Sequence, residues 1–136
     1  MPRNSARLSV ISSAASIILV ANVVALAQSD LPKSKVCSAD DGGWSPAGGV
    51  PTTGQITMSN DGGWCGDRLG ISYSSAVFGG AMHVTQQPAH GEVSIRPHQD
   101  STDVYYKPNP GYVGPDKFAV LVEFYNINKP YNVVVK

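Results

Sequence analysis

The chain has 136 residues, with ten Lys and Arg against ten Asp and Glu, so its formal net charge is zero. One domain fits that length and two do not, and zero net charge argues against a protein that holds nucleic-acid phosphates by bulk charge. Fourteen glycines and ten prolines beside a 42% hydrophobic fraction describe a folded, turn-rich β protein, neither a helical bundle nor a disordered chain.

The first 27 residues read as an export signal. Arg3 and Arg7 form a positive start, and an apolar stretch from Leu8 to Leu26 follows. A membrane anchor needs about 20 strongly apolar residues, and here Ser9, Ser12, Ser13, Ser16 and Asn22 dilute the run. It ends in Ala25-Leu26-Ala27, a small-x-small cleavage pattern, before the polar Gln28-Ser29-Asp30. Cleavage after Ala27 is expected, with a periplasmic or secreted product that has no membrane association afterwards. No lipobox precedes Cys37, which follows Ser34-Lys35-Val36. Cleavage leaves eight basic and ten acidic side chains, and the remaining chain is long enough to bury one core.

The two cysteines, Cys37 and Cys65, are expected to pair, because an exported chain meets an oxidising compartment. Closing a loop of that length stabilises by about 3–4 kcal/mol in the chain-entropy model. Residues 28–54 read as a loop-rich arm, with Pro32, Pro46, Pro51 and little apolar periodicity. Asp41-Gly42-Gly43-Trp44 recurs as Asp61-Gly62-Gly63-Trp64. Two four-residue copies are too short for a solenoid repeat, and Asp-Gly is first a turn signal.

From residue 55 to 136 the pattern has period two, the signature of strands. Ile56 and Met58 share one face of Gln55–Ser59. Ile71 and Tyr73 make a second, weak segment, and Met82 with Val84 a third. Pro88-Ala89-His90-Gly91 reads as a turn, after which Val93 and Ile95 alternate with polar residues. Val104 and Tyr106 share a face, with Tyr105 opposite. Phe118, Val120, Val122 and Phe124 form the inward row of the most apolar run after the signal, which suits a central strand. Tyr131, Val133 and Val135 close the chain. Six or seven short strands separated by Gly and Pro predict an antiparallel β-sandwich of about seven strands.

The segment Pro88-Ala89-His90-Gly91-Glu92-Val93, followed by Tyr106-Lys107-Pro108-Asn109-Pro110-Gly111-Tyr112-Val113-Gly114-Pro115-Asp116-Lys117-Phe118, resembles the bacterial Ig-like, cadherin-like domains of exported proteins. The likeness covers residues 84–136. It implies two packed antiparallel sheets and no particular activity, and many members of that family are modules of adhesins or surface proteins. The region of Cys37, Trp44 and Trp64-Cys65 lies outside the pattern. The motif residues also have roles of their own. Pro108 and Pro110 end the preceding strand, Gly111 and Gly114 permit bends closed to other residues, Tyr112 covers the sandwich edge, and Asp116 accepts backbone N–H groups from the turn.

Catalysis finds little support in the residues. No G-x-S-x-G element is present, and Asp100 and Asp103 are turn residues by context. His83, His90 and His98 have no ligand spacing between them. Asp40, Asp41, Asp61 and Asp67 could gather around calcium only if the disulfide brought the two Asp-Gly-Gly-Trp segments together. The expectation is therefore a non-catalytic module without cofactor or metal that contacts a protein partner. The alternative is a small carbohydrate-binding protein that uses Trp44 and Trp64, since an exposed indole stacks on a sugar or anchors a protein.

Overall fold

The computed structural model describes residues 31–43, 52–70, 82–97, 101–123 and 126–136. Residues 1–27, where an export signal is expected, and Trp44, the Ile71–Tyr73 segment, His98, Asp100 and Phe124 lie outside the described residues. Within them the chain is all-β, with eight strands in two sheets. They are β1 (Cys37–Asp40), β2 (Gly54–Met58), β3 (Cys65–Gly70), β4 (Met82–Gln86), β5 (Gly91–Pro97), β6 (Ser101–Pro108), β7 (Gly114–Val122) and β8 (Ile127–Val135).

A five-stranded sheet has the order β1-β2-β8-β7-β4, and a three-stranded sheet the order β3-β6-β5. All pairs are antiparallel except β2 with β8, which run parallel from Gly54↔Tyr131 to Met58↔Val135. The parallel pair departs from the purely antiparallel expectation. β2, the second strand to enter this sheet, lies beside the last strand, β8, and runs in the same direction. The segment read as a loop-rich arm also contributes a strand. β1 pairs with β2 from Cys37↔Met58 to Asp40↔Gln55 and lays Cys37 and Ala39 against the core.

The inward rows of both sheets meet in one core. Ile56 and Met58 of β2, Val104 and Tyr106 of β6, Phe118, Val120 and Val122 of β7, and Tyr131, Val133 and Val135 of β8 are all buried. Three rings stack across the layers: Phe118 lies 4.7 Å from Tyr131 and 6.1 Å from Tyr106, centroid to centroid. β7 runs between β8 and β4 and carries the apolar run, so Phe118, Val120 and Val122 occupy the interior row of an inner strand.

Cys37 and Cys65 are joined by a disulfide, with Cα atoms 5.4 Å apart. It links β1 of one sheet to β3 of the other, so it is an inter-sheet staple as well as a tie for the N-terminal segment. Next to it the backbone is fastened further: Trp64 N donates to Pro32 O at 2.7 Å and Ser34 N to Trp64 O at 2.9 Å. Ser34, itself buried, donates from its hydroxyl to Val36 O at 2.9 Å. A disulfide of this kind belongs to an oxidising environment. No helix among the described residues is long and apolar enough to cross a membrane.

Candidate binding face

The turn motif builds a structural knot. Asp116, near the start of β7, accepts from Ala89 N at 3.0 Å, His90 N at 2.9 Å, Lys117 N at 2.9 Å and the Tyr106 phenol at 2.9 Å. Burial pushes this carboxyl up, but the three backbone N–H groups and the phenol together outweigh burial and hold it below the ordinary value. Burial and the adjacent Asp116 push the Tyr106 phenol well above its ordinary range. The Tyr106 hydroxyl also reaches His90 O at 3.3 Å. Asp116 thus gathers the turn before β5, strand β6 and strand β7, and it has no oxygen left for a ligand.

The other motif residues surround that knot. β6 ends at Pro108. Gly111 has φ +78° and Gly114 φ +139°, both in the region that disfavours side chains. Tyr112 folds back so that its hydroxyl donates to Pro115 O, and its ring stacks on His90 at 4.1 Å. Asn60 clamps the turn from the other side, donating to Asn109 O at 2.8 Å and Tyr112 O at 2.9 Å.

A second polar cluster lies where Asp41 and Asp67 meet, with Asp40, the last residue of β1, next to Asp41. Asp67 accepts from Asp41 N at 3.2 Å. The charge that serves these groups comes from Lys129, which occupies an inward position of β8 and is fully buried. Its ammonium donates to Asp41 O, to Thr52 O at 3.1 Å and to Gly43 O at 3.5 Å, and it lies 5.8 Å from the Tyr131 ring centre. Burial lowers the Lys129 pKa, while Asp41, Asp40 and Asp67 raise it part of the way back. Asp61 is not in this group: it caps its own turn and accepts from Lys35 N at 2.7 Å. Among the described residues no three His, Cys, Asp or Glu side chains are gathered as metal ligands. Lys129 carried no signal as an isolated residue. The inward alternation Tyr131, Val133, Val135, extended back by two, reaches it.

The outer face of the three-stranded sheet is of a different kind. Cys65 opposes Tyr106 with both side chains buried, so their neighbours point outward. Gly66 opposes Tyr105, which opposes Ser94, and Arg68 opposes Asp103, which opposes Arg96. Tyr105 lies over Gly66, where a Cβ would sit 2.7 Å from the ring and 2.0 Å from Val104 O. Trp64, two residues before Gly66, shares this face and is half-buried. Lys107 Nζ lies 5.5 Å from the Trp64 ring centre and 3.7 Å from Glu92 Oε1. At the far end Asp103 accepts from Arg68 Nε at 3.0 Å and from the Tyr105 hydroxyl at 3.0 Å. Burial and the Asp103 carboxylate push the Tyr105 phenol up, so it stays a neutral donor. The result is an indole and a phenol on one face of a sheet, with charges of both signs around them. Trp64 was legible in the sequence as a candidate. Tyr105 was assigned only to the face opposite Tyr106, and the glycine beneath it gave its partner away only through strand register.

Comparison of the chain with protein-family models, curated protein sequences and solved structures finds no match to any of them.

Proposed function

We propose that the chain is an exported, non-catalytic binding module of the Ig-like, cadherin-like class, and that it recognises a protein partner through the outer face of β3-β6-β5. The class is supported by strand order. In Ig-type sandwiches the second, fifth and fourth strands form one sheet and the third, sixth and seventh lie in the other. With β2 taken as the first strand and β1 as an additional edge strand, β3-β6-β5 and β4-β7-β8 have that arrangement. One feature departs from antibody domains, whose bridge joins the second and sixth strands; here it joins β1 to β3. Export is supported by the Ala25-Leu26-Ala27 site and by the disulfide.

The observation that carries the binding reading is the placement of Trp64 and Tyr105 on one sheet face with Arg68 and Arg96. Trp, Tyr and Arg are the residues in which protein-interface energy concentrates, with a polar rim that excludes water around them. Glu92, Lys107 and the two arginines supply that rim, and their alternating signs give register to a partner of complementary charge. A sugar could also stack on Trp64, but the second indole of that reading, Trp44, lies outside the described residues.

The test is site-specific photo-crosslinking in producing cells. A photoreactive residue at Glu92 should give a discrete protein adduct, and one at Ser38, on the other sheet, should not. The adduct should vanish in Trp64→Ala. Equal adducts from both positions, or none from Glu92, would overturn the proposal.

A further inference from the structure

The outer face of the five-stranded sheet holds a second, unrelated surface. A groove of about 610 Å³ crosses it, bordered by β2, β4, β7, β8 and the turn that follows β4. Gln55, Gln86, Gln87, Lys117 and Asn132 line it, and all five are exposed. Gln55 opposes Asn132 and Asn132 opposes Lys117, so three of them form one row across three adjacent strands. At the usual strand spacing that row spans about 10 Å. Among the described residues none of these five side chains makes a hydrogen bond or ion pair.

The unspent groups stand out because the one carboxylate of the groove is engaged. Asp116 is buried with its oxygens taken by four donors, and the His90 ring is stacked on Tyr112. The next row of the same face is apolar: Val134, 43% exposed, lies opposite Pro115. The groove therefore combines four free carboxamides, one free ammonium and a narrow apolar strip.

We infer that this groove binds an acidic saccharide. Each carboxamide offers paired donor and acceptor atoms, which match vicinal hydroxyls, since every hydroxyl both donates and accepts. Val134 and Pro115 offer a surface for the C–H face of a sugar ring. Lys117 is the one charge in the groove not already engaged among the described residues, and it complements a carboxylate. A peptide strand would need the unpaired backbone of a sheet edge, and the Gln55-Asn132-Lys117 row lies across β2, β8 and β7, which are paired on both sides. Single-stranded nucleic acid would need stacking aromatics and a run of cations, and the row has neither. The site lies on the sheet opposite the Trp64 face and does not depend on the protein-binding reading.

The test is titration of the folded protein with a galacturonic-acid trimer and, separately, with the neutral galactose trimer, followed by amide NMR shifts and calorimetry. The acidic trimer should shift the side-chain amides of Gln55, Gln86 and Asn132 and bind more tightly than the neutral one. Asn132→Ala should weaken it about tenfold, the loss of one donor and one acceptor to neighbouring hydroxyls. Lys117→Met should bring the acidic trimer down to the affinity of the neutral one, and Trp64→Ala should change neither. All three substitutions are on exposed or half-buried surface, and unaltered backbone spectra verify their fold. Absence of shifts at millimolar trimer, equal binding of the two trimers, indifference to Asn132→Ala, or shifts centred on Trp64 would each overturn the assignment.

Discussion

The Tyr106 phenol donates to the Asp116 carboxylate at 2.9 Å, and the two residues belong to different sheets. One end of the sandwich is thus locked by a polar contact between its layers, and the backbone of the turn at Ala89 and His90 is bound to the same carboxylate.

Removing either partner has a predictable cost. Tyr106→Phe loses one hydrogen bond to a charged group, about 1.5–3 kcal/mol, whereas Asp116→Ala strands several N–H donors and should cost roughly 3 kcal/mol or more. The carboxyl is held below its ordinary value of 3.8 in the folded state. Its contribution is therefore complete above that value and disappears as pH falls through the depressed one. Urea titrations from pH 7 to pH 2 should show the wild-type midpoint falling more steeply in acid than that of Asp116→Asn. Parallel curves would mean the carboxylate is not linked to folding.

The disulfide predicts a redox dependence. Reduction should lower stability by about 2–5 kcal/mol, read as a drop in melting temperature with reductant, and non-reducing peptide mapping should recover the Cys37 and Cys65 peptides joined. An unchanged melting temperature after verified reduction would contradict the staple.

Phe118 sits in the middle of the three-ring stack, 1% exposed. Phe118→Ala should cost about 3–5 kcal/mol, because the cavity it leaves adds to the lost transfer free energy. Chemical denaturation measures this directly, and a loss below about 1 kcal/mol would place the ring outside the core.

Lys129→Met keeps most of the side-chain volume but leaves the carbonyls of Asp41, Gly43 and Thr52 without their shared donor. A loss of about 1–3 kcal/mol is expected from stranded acceptors. A gain in stability would show instead that the desolvation of the ammonium exceeds the worth of its three bonds.

The parts of this fold that were readable share a physical cause. β7 and β8 announce themselves because their inward rows are apolar over many residues, and β5 and β6 because Val93, Ile95, Val104 and Tyr106 alternate cleanly. Asp116 is readable as an acceptor of backbone donors, but the donors at Ala89 and His90 are not, since they arrive from 27 and 26 residues away. β3 was missed because its sequence, Cys65-Gly66-Asp67-Arg68-Leu69-Gly70, has two glycines and an inward carboxylate. Its strand character comes from pairing with β6 and from the bridge, not from propensity. β1 has only four residues, and two small ones, Cys37 and Ala39, face the core. On the outer face of β3-β6-β5 Trp64 is visible as an indole after a Gly-Gly turn. Its coupling to Tyr105 and the arginines depends on register, which no local pattern encodes.

The bridge also governs how the molecule bears mechanical load. With Cys37 and Cys65 joined, residues 38–64 lie inside a covalent ring. A pull applied between the segment before Cys37 and the C-terminus passes through the sulfur atoms into β3 and bypasses β2, the parallel neighbour of β8. β2 then stays bound along the flank of β8 as slack chain, and the strand under tension must shear away from it. When the bridge is reduced, the same pull enters through β1 and, once β1 has come away from β2, loads the parallel pair from both of its ends.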